Sequence, residues 1–349
     1  MLCISVSGAW WRRALFVAVM SLFAAPLAAS AAAPGVTMTE YTVPSDEPGV
    51  ALYVREKRPS ALTTFAGDRV IIMVHGATYP IEAAFDTPIA GVSFMDRLAG
   101  AGYDVFAVDM PGYGGSTRPP AMAEPATANP PLTRTPVAAR ALGAAARYVR
   151  RLRGVDAINA LGWSWGTSIA GMYVLGDQQH VRALAQYAPQ WLKEPTVPAP
   201  STTIAAYRTV TREQIYERWY KDVPESGRAD LIPPEGFEAF WQAAIATDPV
   251  GAAMTPPQLR APNGTSIDSA QFWNAGKPLY DPAGIMTPTM VIHAEWDADL
   301  PTYLARGYFA KLGTHRKRFV EIAEGTHSII MERNRAVFAY EIIGFLNNP

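Results

Sequence analysis

The sequence predicts an α/β fold: a mostly parallel central sheet flanked by helices, with a helical cap inserted after the sixth strand. Three observations predict it. Short apolar runs recur along the chain and alternate with segments of helical periodicity, as in strands joined by crossover helices. Gly162-Trp163-Ser164-Trp165-Gly166 joins one such run directly to a helix-like segment. The stretch from Trp191 to Tyr280 is punctuated by prolines and rich in aromatic residues, which suits several short helices linked by loops.

The chain opens on a leader. Arg12-Arg13 precede an apolar run from Ala14 to Ala25, and Pro26 and the small residues of Leu27–Ala33 then offer A-x-A-type cleavage. The run is much shorter than the roughly 20 residues a bilayer span needs. Residues 1–33 are therefore expected to be a cleaved signal peptide, leaving no stable membrane anchor. Cys3 is the only cysteine and lies in this leader, so the mature chain can form no intramolecular disulfide. Export without disulfides fits a bacterial periplasmic or secreted protein.

Residues 34–190 and 281–349 are expected to form the core, and 191–280 the cap. Arg69–Val74 reads as a strand running into His75-Gly76-Ala77-Thr78, and Asp104–Met110 as another, followed by Pro111-Gly112-Tyr113-Gly114-Gly115-Ser116. The proline-rich loop from Arg118 to Pro136 ends in Thr135-Pro136, suited to cap and open a helix over Val137–Leu152. The apolar stripe of that helix, including Ala138, Leu142, Ala145 and Val149, should pack on the sheet. Ala157–Leu161 reads as a buried strand, Thr167–Leu175 as a helix rich in small residues, and Val181–Ala188 as the sixth strand. Thr211–Tyr220 and Glu235–Ala246 are the clearest cap helices. Thr289–Ala294 and Arg318–Ala323 close the sheet, and the last helix presents Val337, Phe338, Ile342, Ile343 and Leu346 on one face.

Strand, sharp turn and helix together turn a G-x-S-x-G match into a nucleophile elbow. The glycines are needed because a strand end packs against a helix start there, leaving little room for side chains beside the serine. A serine nucleophile requires a general base and a group that orients it. Glu295-Trp296-Asp297-Ala298-Asp299-Leu300-Pro301 places acids just past one strand end, and Glu324-Gly325-Thr326-His327 places a histidine just past the next. The chain order is Ser164, acid, His327.

That order, the elbow and the loops at the strand ends resemble the α/β-hydrolase superfamily, in its capped serine branch of esterases and proline iminopeptidases. The resemblance implies Ser164 as nucleophile, His327 as base and Asp297 as orienting acid. Asp299 and Glu295 share the turn, but the family's spacing to the following proline favours Asp297. Some members take the acid from the end of the sixth strand, where Ala188-Pro189-Gln190 has no carboxylate. The resemblance also implies an oxyanion hole from the backbone N–H groups of Trp165 and Ala77, with His75 holding the loop. Asp109 and the glycines after it resemble the family's D-x-x-G-x-G-x-S turn, a structural marker. His180, His293 and His315 read as surface or strand residues. A serine at the elbow excludes the relatives that use aspartate there, the haloalkane dehalogenases and epoxide hydrolases.

The remaining expectations follow from composition. A net charge of −1 and a pI near 6.5 give no electrostatic case for nucleic acid or an anionic membrane. No metal-ligand spacing is present, and the implied chemistry needs no cofactor. Trp163 and Trp165 beside the serine, with Trp219 and Trp241 in the cap, are expected to line a pocket for an apolar or aromatic group. The expected partner is a small-molecule ester. An aminopeptidase of the proline iminopeptidase type is the first rival, and it needs cap carboxylates for a free amine. Glu213, Glu217, Glu225, Glu235 and Glu238 are available, while Trp163 stands where that family generally has glycine. A lactonase, a carbon–carbon bond hydrolase and a non-catalytic binding protein use the same fold.

Overall fold

The computed structural model describes residues 33–194 and 204–349, with Leu2. The expected signal peptide lies outside the described residues apart from Leu2 and Ala33, as do Pro195, Pro198 and Pro200 of the insertion. An eight-stranded sheet forms the core, in the order β1-β2-β4-β3-β5-β6-β9-β10. Its strands are β1 (Val36–Pro44), β2 (Ala51–Pro59), β3 (Val70–Val74), β4 (Asp104–Val108), β5 (Ile158–Trp163), β6 (Val181–Tyr187), β9 (Thr289–Ala294) and β10 (Lys317–Ile322). From β4 to β10 every pairing is parallel; β1 and β2 join antiparallel at one edge. The central strands β3 and β5 are buried at every position, which explains the unbroken apolar run of β3; in β5 only Asn159 is polar, its amide donating to the Asp68 and Val70 carbonyls at 3.0 Å.

The two strands ahead of β3 carry no such run. Arg55, Glu56 and Lys57 are buried in β2 nonetheless. Ion pairs make this tolerable: Arg55 bonds Asp86 at 2.9 Å, and Lys57 reaches Asp86 at 2.5 Å and Asp96 at 2.8 Å. A buried charge is costly unless so partnered.

Helices α1 (Ile81–Ala84), α2 (Phe94–Gly100), α3 (Thr135–Arg153), α4 (Trp165–Asp177), α10 (Thr302–Lys311) and α11 (Arg335–Asn347) belong to the core. The pairs α2–α11 and α3–α4 each pack together against the sheet. Helix α3 stops at Gly154, whose φ of 64° gives the left-handed cap that suits glycine. Its start differs from the expectation. Arg134 occupies the capping position, and Thr135 lies inside the first turn with no side-chain cap of its own. The Asp268 carboxylate takes the capping role from a distance, accepting the Thr135 N–H at 2.8 Å and its hydroxyl at 2.7 Å.

Between β6 and β9 the chain makes β7 (Tyr207–Thr211), α5 (Arg212–Trp219), α6 (Glu225–Arg228), α7 (Gly236–Ile245), α8 (Pro249–Ala252), β8 (Gln258–Pro262) and α9 (Gly264–Gln271). The two expected helices are α5 and α7, each one residue shorter at either end. Thr211 ends β7 and caps α5 through a reciprocal bond with Gln214. The antiparallel β7–β8 pair was not anticipated. Its partners are distant in sequence, and it is braced by a buried Arg260–Asp248 ion pair at 2.6 Å. Among the described residues, no helix is long and apolar enough to cross a membrane.

Candidate active site

Strand β5 ends at Trp163 and α4 begins at Trp165, so the turn is a single residue. Ser164 takes φ 56° and ψ −120°, a region costly for a side chain by about 1–3 kcal/mol. The surroundings enforce it. A Cβ on Gly162 would lie 2.3 Å from the Gly166 carbonyl oxygen, and one on Gly166 would lie 2.4 Å from that of Val74. The Ser164 N–H donates to the Tyr187 carbonyl at 2.8 Å, and its own carbonyl accepts from Thr167 at 2.9 Å. Both glycines of the motif are therefore steric necessities.

Gly76 touches the serine from the other side, where an added Cβ would sit 3.0 Å from Ser164 Cβ. This places the His75–Thr78 loop beside Ser164. Neither the Ala77 N–H nor the Trp165 N–H donates to a protein acceptor among the described residues. Trp165 is the first residue of a helix, where such N–H groups are naturally free. His75 is wholly buried and holds the loop: Nδ1 lies 2.6 Å from the Gly76 carbonyl, and Nε2 accepts the Met110 N–H at 3.0 Å. Those bonds fix the neutral tautomer, and burial lowers its pKa further. Asp109 is structural as well, its carboxylate bridging the N–H groups of Ile81 and Gly115.

His327 Nδ1 lies 2.8 Å from Asp297 Oδ2, and Asp297 Oδ1 accepts the N–H groups of Asp299 and Leu300 at 3.0 and 2.9 Å. The acid is thus fixed by its own turn. Glu295 bonds the Glu324 N–H at 2.9 Å instead, and Asp299 pairs with Arg218 at 2.8 Å. Burial pulls the His327 pKa down, but the charge of Asp297 and its hydrogen bond outweigh this and leave it raised. The histidine loop is held from below: Trp163 Nε1 donates to the His327 carbonyl at 2.9 Å, and the Tyr187 hydroxyl to that of Thr326 at 2.7 Å. Among the described residues, no hydrogen bond within 3.5 Å joins Ser164 Oγ to His327. Such bonds often tighten only when substrate is bound.

Ser164 borders a cavity of about 200 Å³ with Gln190, Trp191, Lys193, Trp273 and Leu300. His327 borders a smaller one, about 20 Å³, with Tyr79, Trp219, Lys221 and Trp296. Arg218 and Asp299 line both. Of the four tryptophans expected to line the pocket, only Trp219 does. Trp163 and Trp165 are wholly buried, the indole N–H of Trp165 donating to the Thr135 hydroxyl at 2.8 Å, and Trp241 lines neither cavity. The physical reason is the elbow itself, which thrusts out one residue while its neighbours continue a buried strand and a buried helix. The lining residues Trp191, Trp273 and Trp296 were legible only as aromatic residues of the insertion or the acid turn. Arg218 and the buried Glu332 carried no sequence signal for a role here, and Asp299 was legible only as a rival acid of the same turn.

The histidines read as surface or strand residues are so placed. His180 bonds Asp177 at 2.5 Å, His293 is buried in β9, and His315 is exposed. No group of metal-binding side chains occurs among the described residues.

No curated protein matches the chain. Solved structures do, at low identity. A serine hydrolase involved in carbazole degradation is 17% identical, with a TM-score of 0.58 over 90% of this chain and 100% of its own. A thermophilic esterase from Thermogutta terrifontis is 15% identical, with a TM-score of 0.56 over 88% and 98%. A meta-cleavage product hydrolase from Pseudomonas fluorescens is 14% identical, with a TM-score of 0.58 over 88% and 97%. These likenesses show the fold. The alpha/beta hydrolase family model matches residues 71–340, across the elbow, the acid turn and the histidine loop, and the chain belongs to that family.

Proposed function

We propose that the protein is an exported serine hydrolase that cleaves a carboxylic ester through an acyl-enzyme. The observation that carries this reading is the Asp297–His327 hydrogen bond together with a serine held at φ 56°, their two cavities sharing Arg218 and Asp299. Ser164 attacks the carbonyl while His327 takes its proton and later returns it to the leaving group. Asp297 holds the imidazole tautomer and stabilises its cation. The Ala77 and Trp165 N–H groups receive the oxyanion, where losing one donor costs about 100–1000-fold. Water then releases the acid. The insertion acts as a cap, and its Trp191, Trp219 and Trp273 give the substrate an aromatic surround.

The cap carboxylates speak against the aminopeptidase. Glu213, Glu217, Glu225, Glu235 and Glu238 are all exposed, and none lines the cavities at Ser164 and His327. A carbon–carbon bond hydrolase is the second reading, because Arg218, Lys193 and Lys221 line the same cavities and suit an anionic substrate. The deciding assay offers the mature protein p-nitrophenyl esters of increasing acyl length, proline p-nitroanilide and a meta-cleavage dienoate. Ester turnover that disappears in Ser164→Ala supports the esterase; turnover of the anilide or dienoate alone overturns it. N-terminal sequencing of secreted protein tests export, with a new terminus near Ala31–Ala33 expected.

A further inference from the structure

Helix α5 carries two consecutive side chains that reach the two loops bearing Asp297 and His327. Arg218 donates from Nε to Asp299 Oδ2 at 2.8 Å, and the Asp299 N–H donates to Asp297 Oδ1 at 3.0 Å. Trp219 donates from Nε1 to Glu332 Oε1 at 2.7 Å. Glu332 is wholly buried, and its carboxylate also accepts the Thr326 N–H at 2.8 Å and the Thr326 hydroxyl. Thr326 immediately precedes His327. One turn of one cap helix is thus bonded through Asp299 to the acid, and through Glu332 to Thr326, the residue before the base. A buried carboxylate persists only where its oxygens are satisfied, and α5 supplies one of the three donors that satisfy Glu332.

Charge adds to the geometry. His327 faces Asp297 directly and Asp299 from the same turn, with Glu332 behind Thr326, the Tyr187 ring stacked at 6.4 Å, and Arg218 and Lys221 from the cap. Arg218 neutralises Asp299. Without it, a second carboxylate would face the imidazole and favour its cation, and an imidazolium cannot accept the serine proton.

We propose that α5 is the positioning element of the base: Arg218 holds and neutralises Asp299 while Trp219 holds Glu332, so that Asp297 and His327 are set for proton transfer when α5 is seated. The proposal rests on the reading of Ser164 and His327 as nucleophile and base. Arg218, Trp219 and Glu332 touch no reacting atom; they act through the loops.

The test measures Ser164 labelling by a fluorophosphonate and ester kcat/KM across the acidic and neutral range, with thermal melts alongside. Arg218→Gln should move the acidic limb of both profiles upward by about half a pH unit or more, and Arg218→Lys should restore most of it. Trp219→Phe and Glu332→Gln should lower kcat about tenfold with KM nearly constant, the signature of a displaced base. If Glu332→Gln does not fold, Trp219→Phe, which removes the donor together with part of the ring, decides by the split of kcat from KM. Variants that melt lower yet keep the wild-type limb and kcat would overturn the proposal alone. A wild-type protein whose Ser164 is not labelled would remove the hydrolase reading, and this proposal with it.

Discussion

Ser164 and His327, the proposed nucleophile and base, are held by different means. The serine is fixed by backbone: a strand end, a helix start and two glycines leave one conformation with φ 56°. The histidine is fixed by side chains from several places, namely Asp297, Trp163, Tyr187 and, through Glu332, Trp219 of the insertion. The first arrangement is local and unforgiving. The second is distributed, with each member replaceable at a graded cost. This difference teaches where the protein can be adjusted: the position of Ser164 is a condition of folding, while His327 can be retuned one hydrogen bond at a time.

The sharpest way to break the comparison is at the serine. Ser164→Ala should abolish turnover by a thousandfold or more while leaving the thermal melt close to wild type, since alanine occupies the same backbone. Activity that survives would remove Ser164 from the chemistry. At the flanking position the opposite balance is expected. Gly166→Ala puts a Cβ 2.4 Å from the Val74 carbonyl oxygen, and a backbone atom cannot step aside as a side chain does. Destabilisation of about 3 kcal/mol or more, read by denaturant unfolding, follows. A stable Gly166→Ala variant would show that the elbow is less tightly enforced than its geometry indicates.

The insertion should respond more mildly. Asp268 of α9 caps the N-terminus of α3 and also bonds Arg134 Nε at 2.7 Å. Asp268→Ala strands the buried Thr135 N–H and should cost about 2 kcal/mol, visible as a lower melting temperature with the elbow intact. An unchanged melt would mean that water replaces the carboxylate there.

What was legible in the sequence follows the same division. The spacing of Gly162, Ser164 and Gly166 encodes a steric fact, so the elbow could be read from five residues. Short all-apolar strands such as β3 announced themselves for the same reason, because burial on both faces leaves one kind of residue. β2 did not, since its buried Arg55 and Lys57 look like surface until Asp86 and Asp96 are brought to them by the fold. The bonds from α5 join residues 81 and 113 positions apart, and no local pattern encodes such a pair. The tryptophans show the limit from the other side. Nearness in sequence to Ser164 placed Trp163 and Trp165 beside the site but could not tell a lining residue from a supporting one.

A smaller effect is expected in the pH profile of the wild-type enzyme. The folded His327 pKa lies above its ordinary value of about 6.5. As the proposed base, His327 is neutral, and competent, only above that raised value. As pH falls through it, kcat/KM should fall in proportion to the protonated fraction, so the acidic limb lies on the alkaline side of a free imidazole. A limb below that value would mean that burial outweighs Asp297.

The smallest expected effect separates the ester reading from the aminopeptidase. An aminopeptidase with a helical cap needs an anion there to meet the substrate's amine. The glutamates of this insertion point outward: Glu225 keeps 96% of its side-chain surface exposed, and Glu238 is occupied with Arg212 at 3.0 Å. Glu213→Gln, Glu225→Gln and Glu238→Gln should therefore leave ester kcat/KM within about twofold and stability within about 0.5 kcal/mol. The comparison with Arg218, about a turn and a half along α5 from Glu213, gives this null result its meaning. Both residues sit on the same helix, but only Arg218 reaches the acid turn. A loss of peptide turnover in one of the glutamate variants, with ester turnover spared, would show that the cap rearranges to bring that carboxylate inward and that amine recognition belongs to this protein after all.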